Sequence, residues 1–249
     1  MKPFIAALQF MTICPFLGRV ACDERQIGRG AAWFPVIGLL AGGMVALLDQ
    51  CLLAAFGPLV ASVLSVVALI AVSGGLHADG LADTADGFLS SRPRERILEI
   101  MRDSRIGAMG VLAVVAVFAL KCAALASLPV ELRWRVLLLM PLLGRCSLAW
   151  QLAVLPYART DGGLCSVFVT HRSKLDPVLS ALIAGLAGWI LFGWGGLASV
   201  ASGALVLVVF LGWCRVKIGG FTGDTLGAAC EILELVPVLT IITWGRLCS

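Results

Sequence analysis

Long apolar runs separated by short polar stretches set the pattern of this 249-residue chain. A helix needs about 20 apolar residues to cross the hydrocarbon core of a bilayer. Runs at 31–55, 58–76, 107–128, 136–155, 177–194, 197–214 and 232–247 therefore predict about seven spans. The last is marginal and contains Pro237. The opening run, 3–17, falls short of a span and stops at Pro15 and Gly18, which predicts an interfacial or re-entrant helix. Polar segments at 77–106, 156–176 and 215–231 interrupt the apolar pattern. Within the first of these, Ile97, Ile100 and Met101 follow Pro93 at the period of an amphipathic helix. The expected fold is all-α: a polytopic integral membrane helical bundle in which residues 1–249 form a single membrane-embedded domain.

Composition sharpens this picture. Hydrophobic residues make up 60% of the chain and charged ones 14%, with a mean hydropathy of +1.00, which excludes an ordinary soluble domain. The net charge of +4 is small, and no basic patch with interleaved aromatics points to nucleic acid. Charge placement says more than its sum. With the N-terminus in the cytoplasm, 14 of the 19 lysines and arginines fall in segments on the inner side. Lys121, Arg133, Arg135 and Arg246 then fall at outer loops or far helix ends, and Arg145 stands alone within a span. This asymmetry favours an inside N-terminus and puts all three polar segments on one side. The nine cysteines are scattered and odd in number, so no disulfide framework or paired metal motif is expected.

The segment from Gly74 to Gly110 concentrates the ionisable residues. Asp79, Asp83 and Asp86 stand at i, i+4 and i+7, one face of a helix, where like charges repel. A solvated acidic connection between spans would account for such a triplet on its own. The arginines that follow, Arg92, Arg94, Arg96, Arg102 and Arg105, point instead to carboxylates for a hard cation such as Mg²⁺ and guanidinium forks for phosphate oxygens. Arg102 and Arg105 flank Asp103, which reads either as surface ion pairing or as a pyrophosphate clamp. Downstream, Asp224 and Glu231 also share a helical face, and Thr222-Gly223 before them can open a helix towards an anion. A simple N-cap explains Asp224 equally well. Arg145 needs a partner inside the membrane, either an aspartate of the triad or a substrate phosphate. Arg159, Arg172, Lys174, Arg215 and Lys217 can face the same site, and topology alone explains them as a group equally well. His77 can act as a base near neutrality. On a continuous helix, however, it points roughly 160° away from Asp79.

His77-x-Asp79-Gly-Leu-Ala-Asp83-Thr-x-Asp86-Gly87, followed by Arg102-Asp-Ser-Arg-Ile-Gly107-x-x-Gly110, resembles the signature of the cobalamin synthase family, the adenosylcobinamide-GDP ribazoletransferases. Gly219-Gly-Phe-Thr-Gly-Asp-Thr-Leu-Gly227 resembles that family's late glycine-rich element. Phe34-Pro-Val-Ile-Gly38 and Pro156-Tyr-Ala-Arg159 extend the likeness over nearly the whole chain. One departure is Met11-Thr-Ile-Cys-Pro15, where an arginine is expected. The resemblance implies an Mg²⁺-dependent phosphoryl transfer that joins α-ribazole, or its 5′-phosphate, to adenosylcobinamide-GDP and releases GMP. It further implies a multi-pass protein in the lipid of the cell inner membrane with its active site facing the cytoplasm. On this reading the metal ligands are Asp79, Asp83, Asp86 and Asp224. The catalytic groups are Asp86, His77 and Asp83, with Asp86 favoured slightly as base. Arg102, Arg105, Arg145, Arg159 and Lys217 bind substrate phosphate. The CDP-alcohol phosphotransferases also use an aspartate-rich helix, but Thr84 stands where their pattern needs arginine. The alternative from another class is a transporter or channel with intramembrane acids, which calls for charges deep in several spans. The sequence leaves open whether the chain forms a homo-oligomer.

Overall fold

The computed structural model describes residues 1–13, 20–159, 164–171 and 173–247. The expected break at Pro15 and Gly18, the Cys14 of the departing motif, and Arg172 lie outside them. The helices, in chain order, are α1 (Lys2–Met11), α2 (Glu24–Gly28) leading into a 3₁₀ turn (Arg29–Trp33), α3 (Phe34–Ala55), α4 (Pro58–Val72), α5 (Leu76–Phe88), α6 (Arg94–Ile100), α7 (Ala108–Ala126), α8 (Val130–Val154), α9 (Leu164–His171), α10 (Asp176–Phe192), α11 (Trp194–Ile218) and α12 (Gly223–Leu247). Among the described residues the strand-like pairing is one isolated parallel bridge, Tyr157 to Phe221.

Five helices are long and apolar enough to cross a membrane: the one ending at Ala55, then α7, α8, α11 and α12. Counting the bent pairs α4–α5 and α9–α10 as one span each gives seven. One boundary differs markedly from expectation. The last helix starts at Gly223, not 232, so the second polar motif forms its first turns. Asp224, Glu231 and Glu234 lower the hydropathy of those turns but do not interrupt the helix. Pro237 sits inside it, as Pro141 sits inside α8. Such prolines persist in membrane helices where neighbours satisfy the freed backbone.

α8 and α12 form the centre of the bundle. α3, α10 and α12 pack on α8, while α5, α7 and α11 pack on α12. Gly38 and Gly42, one turn apart on α3, allow a close approach to α8. A Cβ at either would stand 2.6 Å from a backbone oxygen, that of Pro141 or Leu137. This small-residue spacing is a recurrent way for helices to associate in lipid. Outward, the peripheral helices present Leu47, Leu112, Leu182, Ile190, Leu205 and Val209, all exposed and apolar.

Charge inside the bundle is more extensive than Arg145 alone, which corrects the expectation for Lys121 and Arg133. Arg133 is fully buried and grips Asp49 with two nitrogens at 2.5 and 3.0 Å. Its third nitrogen donates to Ser62 and to the Leu125 carbonyl, and Ser65 donates to Asp49. This cluster joins α3, α4, α7 and α8 at the bundle end opposite the motif segments. Nearer the motifs, Lys121 donates to Glu231 at 2.6 Å and to Glu234 at 2.5 Å. Arg145 pairs with Glu234. These two acids and two bases neutralise one another, as buried charges must.

Candidate active site

Two consecutive left-handed glycines, Gly74 (φ 62°) and Gly75 (φ 80°), end α4 and start α5. Their amides bond back to Ala71 and Ile70 carbonyls, and the chain leaves α4 at 89°. A β-carbon would strain both residues. The turn carries α5 off the span direction and lays it across the head of α12. There the backbones nearly touch. A Cβ at Gly80 would lie 2.7 Å from the Asp224 carbonyl oxygen, and one at Gly227 would lie 3.1 Å from the His77 Cα. The glycines of the two motifs are thus the two sides of one helix crossing, and that crossing sets Asp79 and Asp83 beside Asp224.

A second set of contacts fixes the loops. Thr222 caps α12: Thr225 N–H donates to its hydroxyl, while its own N–H donates to the Thr225 hydroxyl. Asp224 follows in the first turn, where the helix dipole favours a carboxylate. Phe221 N–H donates to the Pro156 carbonyl, and Ala158 N–H donates to the Phe221 carbonyl, both at 2.9 Å. This places Arg159, whose Nη2 donates to Asp224 Oδ2 at 2.7 Å. Arg94, at the start of α6, donates to the carbonyls of Ile218 and Ala158, both at 2.8 Å. One guanidinium therefore holds all three polar segments together. Sequence reading counted Arg94 only as part of a basic cluster; its position just after Pro93 was the available signal.

The carboxylates crowd one another. Burial, then the charges of Asp224, Asp79 and Asp86, raise the Asp83 carboxyl to about 7, against the opposing pull of Arg159. A cation would relieve that repulsion. Among the described residues, no three His, Cys, Asp or Glu side chains stand close enough to hold an ion by themselves. The donor set fits Mg²⁺ only with substrate oxygens completing it, which is the usual case for that ion.

The other expected site residues fall into distinct places. Asp86 caps α7: Gly107 N–H donates to Oδ2 at 2.7 Å and Gly110 N–H to Oδ1 at 2.8 Å. A Cβ at Gly107 or Gly110 would collide with that carboxylate. Both oxygens are taken up as acceptors at a helix N-terminus, so Asp86 is engaged in capping α7 rather than free to meet a substrate hydroxyl as the expected base. His77 does lie on one continuous helix with Asp79, and its ring is buried. Its Nε2 is enclosed without a hydrogen-bond partner among the described residues, although the residue contributes to the wall of a cavity beside Asp79 and Asp224. Arg105 is exposed and forks onto Asp103, pulling that carboxyl down to about 2. Arg102 lies on the exposed surface close enough for its charge to act on Asp224. Arg145 is taken by Glu234 inside the membrane, neither of the partners expected for it. Lys217 is half-buried in the last turn of α11.

Three cavities lie near the crossing, two of them with Asp79 in the wall. One of about 620 Å³ lies between α1, α5, α8, α9 and α12 and has Asp79 and Asp224 in its wall. A second, about 660 Å³, lies past Leu76 and Asp79 along Ser73–Gly75 and reaches Ile106 and Val114. A third, about 330 Å³, is a basin formed by Arg94, Glu95, Leu98, Glu99, Arg102, Ala158 and Arg159. The Arg159–Asp224 bond joins this basin to the first cavity.

Residues 3–242 match the family model described as cobalamin-5-phosphate synthase. Among curated relatives, the adenosylcobinamide-GDP ribazoletransferase of Geotalea daltonii is 35% identical, covering 98% of each chain. That of Desulforamulus reducens is 37% identical over 95% of this chain and 94% of its own. That of Roseiflexus sp. is 40% identical over 96% and 88%. No solved structure matches the chain. A family model met over nearly the full length, and full-length relatives of this identity, show that the chain belongs to the cobalamin-5-phosphate synthase family.

Proposed function

We propose that this transferase of cobalamin assembly joins α-ribazole, or its 5′-phosphate, to adenosylcobinamide-GDP, releasing GMP and giving adenosylcobalamin or its 5′-phosphate. The observation that carries the reading is the α5–α12 crossing. It gathers Asp79, Asp83, Asp224 and Arg159 between a largely apolar cavity and a basin that holds three arginines. In the reaction, the ribazole 3′-hydroxyl oxygen bonds to the cobinamide-side phosphorus. The phosphorus–oxygen bond to GMP breaks, and the hydroxyl proton passes to a base. Arg159 and Arg102 face the pyrophosphate, where planar guanidinium forks match phosphate oxygens. With Asp86 occupied as a cap, Asp83 is the carboxylate with a proton affinity suited to the hydroxyl. Asp79 and Asp224 would hold Mg²⁺, which supplies charge neutralisation on the pyrophosphate when bound. The charges inside the spans, which a transporter would also need, are neutralised in pairs. The protein sits in the cell inner membrane with its N-terminus and motif face towards the cytoplasm, as the lysine and arginine bias favours. The test is GMP release from adenosylcobinamide-GDP by purified protein in detergent, supplied with α-ribazole and Mg²⁺. Release that needs both additions is the expected result, and none under these conditions would overturn the reading.

A further inference from the structure

We infer that the 620 Å³ cavity is the seat of the acceptor's uncharged heteroaromatic base, with the phosphates of the other substrate on the far side of Asp224. The inference deepens the transferase reading and rests on it. Its first support is the distribution of charge. The cavity wall is built from apolar side chains such as Ile27, Leu148, Cys165 and Leu226, and among the described residues neither a lysine nor an arginine lines it. Its formal charges are the carboxylates Asp79 and Asp224, which repel phosphate and tolerate a neutral ring. The adjoining basin is basic on balance, with Arg94, Arg102 and Arg159 against Glu95 and Glu99. The second support is a preset aromatic face. Phe10 of α1 lines the cavity and is braced from behind, 5.0 Å from Phe168 and 6.3 Å from Phe34 between ring centroids. A braced ring offers a stacking surface at little entropic cost. The volume lies within the range of pockets that enclose small organic ligands. The neighbouring 660 Å³ cavity also contains Phe10, but it touches neither Asp224 nor Arg159, so a ligand there is not in line with the basin. A nucleoside with its base on Phe10 and its ribose at Asp79 and Asp224 presents its hydroxyls towards the phosphates held beyond Arg159.

The test uses full-length protein in detergent and follows GMP release while each substrate is varied separately. Benzimidazole, the ring system of α-ribazole, should inhibit wild type competitively against α-ribazole and not against adenosylcobinamide-GDP. Phe10→Ala should raise the KM for α-ribazole at least about tenfold, the scale of a lost ring-stacking contact with its buried area. The KM for adenosylcobinamide-GDP should stay near wild type. Ala6→Phe, which fills the cavity from the α1 side, should give the same split. Competition by benzimidazole against adenosylcobinamide-GDP overturns the assignment. So does the absence of inhibition, and so does an unchanged KM for α-ribazole in the two variants. Because the benzimidazole arm uses wild type, it decides the matter even if a variant fails to fold. A wild type that never releases GMP refutes the transferase reading itself; turnover without the split refutes only the subsite.

Discussion

Arg159 Nη2 donates to Asp224 Oδ2 at 2.7 Å, and the two residues are 65 positions apart in the chain. The bond ties the loop after α8 to the first turn of α12 at the boundary between an acidic and a basic region. Substrate phosphate entering the basin meets a guanidinium already oriented by a carboxylate. Arg159→Ala removes that donor and leaves Asp224 without its cation. Turnover should fall at least ~10²-fold, the scale of one lost charge contact in a transition state. Steady-state GMP release checks this, with Arg159→Lys expected to recover only part because an ammonium cannot fork.

Asp83 yields a prediction about pH. Its carboxyl is raised to about 7, so it is protonated below that value and cannot accept the ribazole proton. The rate should therefore be lost as pH falls through an acidic limb at or below 7. Raising Mg²⁺ should move the limb to lower pH, since a nearby cation stabilises the ionised carboxylate. Asp83→Asn should lower turnover at least ~10²-fold and abolish the limb. A limb that survives in the variant would assign it to another group.

Asp86 should behave differently from its two neighbours in the motif. As the cap of α7 it contributes to folding, and Asp86→Ala should cost about 0.5–2 kcal/mol, the usual range for losing an N-cap. A lower thermal unfolding midpoint in detergent is the expected readout. The folded fraction should keep an acidic limb, moved to somewhat lower pH because the Asp86 charge that helps raise Asp83 is gone.

The far-end cluster should matter for stability alone. Asp49→Ala leaves Arg133 buried and unpaired and should cost about 3–5 kcal/mol, while the double variant Asp49→Ala/Arg133→Met should recover much of that loss. Both substrate KM values of the folded protein should stay near wild type. Thermal unfolding and steady-state kinetics on the same preparations test the two statements separately.

The spans and the acidic motif were legible because each depends on local pattern: apolar length for one, residue spacing for the other. The partners of buried charge were not. Lys121 and Arg133 lie near helix ends in sequence, and a loop position satisfies the charge bias equally well. Only tertiary packing brings Glu231 and Glu234 to one and Asp49 to the other. The same limit applies to Asp86, whose partners Gly107 and Gly110 lie 21 and 24 residues downstream. The motif's later glycines make room for that carboxylate, which their place at the start of a predicted span does not reveal. His77 was readable to the extent that helix geometry turned it away from Asp79. That it ends enclosed beside α12 depends on Gly227, which no local rule connects to it.

Arg94 reaches the Ala158 carbonyl across 64 residues and the Ile218 carbonyl across 124. During synthesis the acidic helix emerges early, but the segments that complete its surroundings, from Pro156 and from Gly219 onward, come much later. A nascent protein therefore carries Asp79 and Asp83 for a long interval before Arg159 and Asp224 are made. Any shortened product ending before Gly223 lacks α12 and cannot close the site, however well its earlier helices insert. Loop closure of this length is slow and exposes unfinished surfaces. Insertion of the first spans and acquisition of activity should thus be separable in time.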